Sequence, residues 1–293
     1  MSKIYSALIV PYDENGNIYE KGLREVVRYN IDHNKVDGLY VGGSTGENFL
    51  ISTEEKKKIF DIAFDETENE VDLIAQVGSI NLREAKELAK YVTEKGYNTV
   101  SAVTPYYYKF DFEEIKNYYF SIIEDLDTKM IIYAIPALTG VNLSLEEFEE
   151  LYENPKIAGV KFTSGDFFLL ERVREKFPNK IIYSGFDEML LPAASLGVDG
   201  AIGSTFNLNA LKARELMEAV EKGDLTEARK VQSQTNHLIS DLIDNGLYNT
   251  IKLVLTNLGV DAKYCREPMK KPSQQQQEIA KNIAKKYFSD GVD

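Results

Sequence analysis

Eight short apolar runs, rich in β-branched residues, recur through the first 205 positions. They are Ser6–Val10, Asp37–Val41, Val71–Val77, Thr99–Val103, Met130–Ala134, Ile157–Phe162, Lys180–Ser184 and Val198–Ile202. Most are nearly continuous rather than strictly alternating, the pattern of strands covered on both faces. Amphipathic segments separate them. Ser52-Thr53-Glu54-Glu55, Asp111-Phe112-Glu113-Glu114 and Ser144-Leu145-Glu146-Glu147 each offer a side-chain oxygen at the helix start and a glutamate three residues on, which predicts capping boxes. Gly96 and Gly197 sit where helices should stop. Strand and helix alternating eight times predict a (β/α)8 TIM barrel, because each parallel pair needs a crossover. A doubly wound sheet is the competing α/β arrangement. The tightest helical interval is Asp187–Leu196, between the last two strands.

Beyond Asn209 the strand pattern ends, and Leu211–Lys222, Leu225–Asp244, Tyr248–Leu258 and Gln274–Phe288 read as helices. The first can complete the barrel. The expected organisation is therefore a barrel over 1–222 and a C-terminal helical extension over 223–293, with no linker between them. Gln274–Gln277 reads as the exposed start of a helix.

Composition narrows the partners. The net charge of −13 repels phosphate backbones and anionic lipid, so neither nucleic acid nor membrane is an expected partner. An acidic substrate would need a local field of its own. Cys265 is the sole cysteine, so no intramolecular disulfide can form. The opening Met1-Ser2-Lys3-Ile4-Tyr5 lacks the apolar stretch of a secretory signal, and no run approaches the ~18 apolar residues of a spanning helix. A cytoplasmic protein is expected.

In a barrel, chemistry gathers at the C-terminal strand ends. Lysine is costly in an apolar strand, yet Lys161 lies in Ile157-Ala158-Gly159-Val160-Lys161-Phe162. If Ala158, Val160 and Phe162 face the helices, Gly159 and Lys161 face inward, the glycine leaving room for the lysine stem. A solvated strand-end lysine is the alternative. Desolvation would favour the neutral amine, the form that attacks carbonyls. By the same alternation Tyr133, on the preceding strand, faces inward beside it and is placed for proton transfer; a plain core tyrosine is the alternative.

Gly42-Gly43-Ser44-Thr45-Gly46-Glu47 follows the second strand, and its converging N–H groups and hydroxyls suit a carboxylate, although turns use the same residues. It matches neither the phosphate-loop nor the dinucleotide pattern. Ser184-Gly185-Phe186-Asp187-Glu188 and Gly203-Ser204-Thr205 follow strands seven and eight; Asp187 and Glu188 could accept substrate hydroxyls, or Asp187 could cap the short helix. His33 and His237 fall within predicted helices with no partner histidine at ligand spacing. No metal and no cofactor are expected. Tyr106–Tyr108 read as an interface or core cluster.

Taken together, Gly-Ser-Thr-Gly-Glu at 43–47, Tyr-Ala-Ile-Pro-Ala-Leu-Thr-Gly at 133–140 and Gly-Val-Lys-Phe-Thr-Ser-Gly-Asp at 159–166 resemble the N-acetylneuraminate lyases. The likeness spans the barrel and runs into the C-terminal helices. It implies a Schiff-base aldolase splitting open-chain N-acetylneuraminate into N-acetylmannosamine and pyruvate. Lys161 falls on the family's imine-forming lysine and Tyr133 on the proton-shuttling tyrosine. Ser44 and Thr45 fall on the carboxylate-binding pair, and Thr163, Gly185, Asp187, Glu188 and Ser204 on sugar-binding positions. Tyr107 falls on a tyrosine contributed by a neighbouring subunit, which implies a homotetramer. The related dihydrodipicolinate synthases share the lysine, the tyrosine and a similar loop. They typically carry an arginine soon after the proline of strand five, where this chain has Ala137-Leu138-Thr139. Phe162 and Tyr248 depart from some relatives, which leaves the preferred sialic acid variant open.

Overall fold

The computed structural model describes residues 2–288; Met1 and the last five positions of the expected extension, 289–293, lie outside the described residues. The first half runs β1 (Lys3–Ala7), α1 (Glu20–Asp32), β2 (Gly38–Val41), α2 (Thr53–Thr67), β3 (Asp72–Gln76), α3 (Leu82–Lys95), β4 (Thr99–Val103) and α4 (Phe112–Ile123). Then follow β5 (Lys129–Ala134), α5 (Pro136–Thr139), α6 (Leu145–Tyr152), β6 (Ile157–Phe162), α7 (Phe167–Lys176), β7 (Ile181–Ser184), α8 (Leu190–Ser195) and β8 (Gly200–Gly203). The strands close into one parallel barrel in chain order, β8 pairing with β1. Four helices end the chain: α9 (Phe206–Glu221), α10 (Leu225–Asp244), α11 (Leu247–Asn257) and α12 (Gln274–Phe288).

The local signals worked where they are local. All three capping boxes form, at Ser52, Asp111 and Ser144. Gly96 closes α3 with φ +118, left-handed territory a β-carbon resists. The tight interval before β8 holds a 3-10 turn, Asp187–Met189, followed by the six residues of α8. β1 starts three residues earlier than its apolar run, because Lys3–Ser6 pair with β8, and Leu8–Val10 leave the sheet as buried loop. His33 lies just past the end of α1, stacked on Tyr29, and not inside a helix.

Two apolar layers result. One fills the space between strands and helices and includes Val160 and Phe162. The other lines the barrel interior with Tyr5, Tyr40, Ile74, Ile131, Tyr133, Tyr183 and Ile202. Alternation along β6 is broken once. The β5–β6 register slips between Met130 and Ile131, pairing Met130 with Ile157 but Ile131 with Gly159. Ala158 therefore packs on the interior layer instead of facing the helices. Gly159 also serves a different purpose than making room for a lysine stem. A β-carbon there would come within 2.0 Å of the Ile181 carbonyl oxygen on β7, so the glycine permits close strand approach. No helix among the described residues is long and apolar enough to cross a membrane.

Candidate active site

Beyond the slip, the β5–β6 register pairs Tyr133 directly with Lys161. Both side chains enter the barrel near its C-terminal end, and both are buried, Lys161 being only 4% exposed. Its Nζ lies 4.2 Å from the Tyr133 ring centroid and 4.2 Å from that of Tyr40 on β2. Two aromatic walls and near-complete burial leave the ammonium poorly solvated. Burial pushes the Lys161 pKa down to about 7, with the charge of Asp187 partly opposing it. The ring faces also favour a cation, but a contact of this kind is worth ~0.5–2 kcal/mol, less than the loss of hydration. Burial governs Tyr133 too, pushing its phenol up to about 12; a hydrogen bond with Ser44 works the other way, while Tyr248 and Asp187 add to the rise. At neutral pH the site thus holds an amine that is about half neutral beside a phenol that keeps its proton.

Tyr40 carried no role in the sequence reading. Its hydroxyl meets Ser101 Oγ at 2.9 Å, its ring stands edge-on to Tyr133, and it underlies Gly43, where a β-carbon would come within 2.9 Å of the ring. The available signal was the one that exposed Tyr133: a tyrosine near the end of an apolar strand.

The loop after β2 enters through Gly42 at φ +79 and forms two short 3-10 turns, Ser44–Gly46 and Asn48–Leu50, the first of which faces the site. The first N–H groups of such a turn have no partner within it, and they join the Ser44 and Thr45 hydroxyls in a donor-rich cup. Thr45 Oγ1 also meets Ser204 Oγ, after β8, at 2.7 Å.

Around the lysine stand the remaining polar groups. Thr163, just past β6, has a buried Oγ1 with no hydrogen-bond partner, packed so closely on Gly185 that a β-carbon there would lie 1.9 Å from it. Asp187 does not cap its own short helix. Its Oδ2 accepts from the N–H and hydroxyl of Thr205 at 2.8 and 2.7 Å, tying the β7 loop to the β8 loop. Burial pushes its carboxyl up to about 6, against the pull of the Thr205 donors. Glu188 is half-buried beside it. On α10, Gln232 and Asn236 donate to the backbone carbonyls of Asp187 and Glu188. The C-terminal helices therefore brace this loop from outside.

Ser44, Thr45, Tyr133, Lys161, Thr163, Gly185, Asp187, Glu188 and Ser204 are thus all supplied by C-terminal strand ends and the loops after them. Tyr107 is not drawn in. It is 83% exposed, with φ +77, and its ring packs on Tyr108. A cavity of about 320 Å³ opens at the barrel mouth, lined in part by Ser44, Tyr106, Ile135, Leu138, Thr139 and Tyr248. A cavity of about 390 Å³ at the opposite barrel end includes Lys3, Tyr5, Asp72 and Tyr183, but its Lys3 is paired with Asp72 and partly solvated, so the reactive amine is elsewhere. Among the described residues no group of three or more His, Cys, Asp or Glu side chains gathers as a metal-ligand set.

Known proteins are similar in sequence and fold over nearly the whole chain. The model of the dihydrodipicolinate synthetase family matches residues 1–287. The chain is similar to an N-acetylneuraminate lyase of Clostridium perfringens, 64% identical over 288 residues, covering 98% of this chain and 100% of that one. Its fold is similar to a Clostridium difficile protein solved in complex with mannosamine, at TM-score 0.97 and 61% identity, covering 98% and 99% of the two chains. N-acetylneuraminate lyase from Fusobacterium nucleatum superposes at TM-score 0.94 and 64% identity, with 98% and 99% covered.

Proposed function

The chain belongs to the dihydrodipicolinate synthetase family, and within it we propose that this protein is a class I aldolase that reversibly cleaves N-acetylneuraminate to N-acetylmannosamine and pyruvate. The observation that carries the reading is a fully enclosed lysine with its pKa near 7, in register with a protonated tyrosine at a barrel mouth.

The Lys161 amine attacks the C2 ketone of the open-chain sugar acid, whose carboxylate sits in the Ser44–Thr45 cup. Loss of water gives an iminium. Tyr133, a neutral phenol, first donates the proton that lets hydroxide leave as water. As a phenolate it then takes the C4 hydroxyl proton while C3–C4 breaks. The bond's electron pair flows into the iminium, leaving a neutral enamine on Lys161 and an aldehyde at C4. The proton returns to C3, and hydrolysis of the resulting imine consumes the water released earlier, frees pyruvate and restores the amine. Thr163, Gly185, Asp187, Glu188 and Ser204 hold the hydroxyl-bearing tail. Two acids here, and no cation after Pro136, favour a polyol over a second carboxylate.

In the same reading the active unit is a cytoplasmic homotetramer of barrels over 1–222 and extensions over 223–293, in which Tyr107 of the partner subunit completes each site. The exposure and left-handed backbone of Tyr107 support that placement. Borohydride trapping with pyruvate should label a peptide containing Lys161, and N-acetylneuraminate should release pyruvate. Turnover only of pyruvate with aspartate semialdehyde would replace this reading with that of the synthase.

A further inference from the structure

Glu47 ends the carboxylate cup, yet its side chain serves the C-terminal segment. One carboxylate oxygen accepts from Lys252 Nζ on α11, and the other from the N–H of Arg266. Glu47 and Lys252 are both buried, 205 residues apart in the chain. Lys252 also donates to the Tyr264 carbonyl at 2.8 Å and stands 5.0 Å from the ring centroid of Tyr12. The Tyr12 hydroxyl in turn donates to the Gly46 carbonyl at 3.0 Å. The last two residues of the cup are therefore each tied down. Glu47 itself holds φ +61, a left-handed conformation that a glutamate keeps only when its surroundings impose it.

A buried ion pair is a weak source of net stability, since desolvation offsets most of the attraction. What it does supply is a fixed geometry. We propose that Tyr12, Glu47 and Lys252 are positioning residues for the substrate carboxylate. They hold the Ser44–Gly46 turn so that its donors converge, and through them the C-terminal extension sets the affinity for 2-keto acids. The proposal rests on Lys161 being the imine-forming lysine. It explains why a lysine on α11 is fully buried, with Glu47 and the Tyr264 carbonyl as its partners.

The test compares two carbonyls that differ in the carboxylate alone. Pyruvate and acetone both form imines with an accessible amine, but only pyruvate needs the cup. In the full-length E47Q/K252M double variant, which removes both charges while keeping bulk, borohydride trapping of pyruvate should fall on the order of tenfold or more and trapping of acetone should stay at the wild-type rate. A parallel loss with both carbonyls, or an unchanged ratio, overturns the proposal. Should the double variant fail to fold, Tyr12→Phe decides: it frees only the Gly46 carbonyl, and it must lower the pyruvate-to-acetone ratio, an unchanged ratio counting against the brace. Wild-type enzyme that traps neither carbonyl at Lys161 would instead overturn the aldolase reading.

Discussion

Replacing Lys161 with methionine should stabilise the fold, by an amount that shrinks as pH rises. The ammonium titrates at about 7 in the native state, against 10.5 for an ordinary lysine, because burial strips its hydration. Below pH 7 both native and unfolded chains hold the proton, and the native chain holds it unfavourably. The gap between 10.5 and about 7, at ~1.4 kcal/mol per pH unit, then weighs about 5 kcal/mol against folding. Between 7 and 10.5 the unfolded chain binds the proton and the native chain does not, so wild-type stability climbs with pH. Above 10.5 neither binds it and the penalty is gone. At pH 9 about 2 kcal/mol remains. Methionine carries no such charge and is close in length and volume, so packing changes should stay below ~1.5 kcal/mol. The Tyr40 and Tyr133 ring faces recover part of the penalty, which makes 5 kcal/mol an upper figure. The assay is urea unfolding of both proteins at pH 7 and pH 9, followed by far-ultraviolet circular dichroism because the chain has no tryptophan. A stability difference that is the same at both pH values, or a variant less stable at pH 7, would refute the claim that Lys161 is held neutral by burial.

The same titration should appear in catalysis. Below pH 7, kcat/KM should drop about tenfold per pH unit as the amine takes its proton, and Asp187→Asn, which removes the charge that favours the ammonium, should move that limb to lower pH; a limb near 10 would contradict it. Tyr133→Phe should keep the equilibrium extent of imine trapping while single-turnover cleavage slows by ~10²–10⁴-fold; full cleavage activity would remove the phenol from the mechanism. Gly185→Ala would place a methyl 1.9 Å from Thr163 Oγ1, so KM for the sugar acid should rise on the order of tenfold with pyruvate trapping intact. Equal effects on both substrates would argue that Gly185 supports the fold instead of the sugar pocket.

Much of this site was legible in the sequence because it depends on short-range rules. Strands of a parallel barrel follow chain order, so Tyr133 and Lys161 had to be neighbours once both were assigned to inward positions on consecutive strands. Helix starts at Ser52, Asp111 and Ser144 were readable for the same reason: a cap is decided by residues three apart. Strand ends were less so. β1 was displaced from its apolar run because β8 supplied its hydrogen bonds, and Ala158 turned inward because of a register slip that alternation cannot anticipate.

Patterning, capping residues and motif order determined that this chain is a barrel with an amine and a phenol at its mouth. Only the tertiary structure decided how reactive that amine is, since its desolvation comes from walls contributed by distant strands, Tyr40 among them. The tie between Glu47 and Lys252 was likewise beyond the sequence: a contact across 205 residues leaves no periodicity, and it exists only once the barrel has closed and the last helices have packed against it.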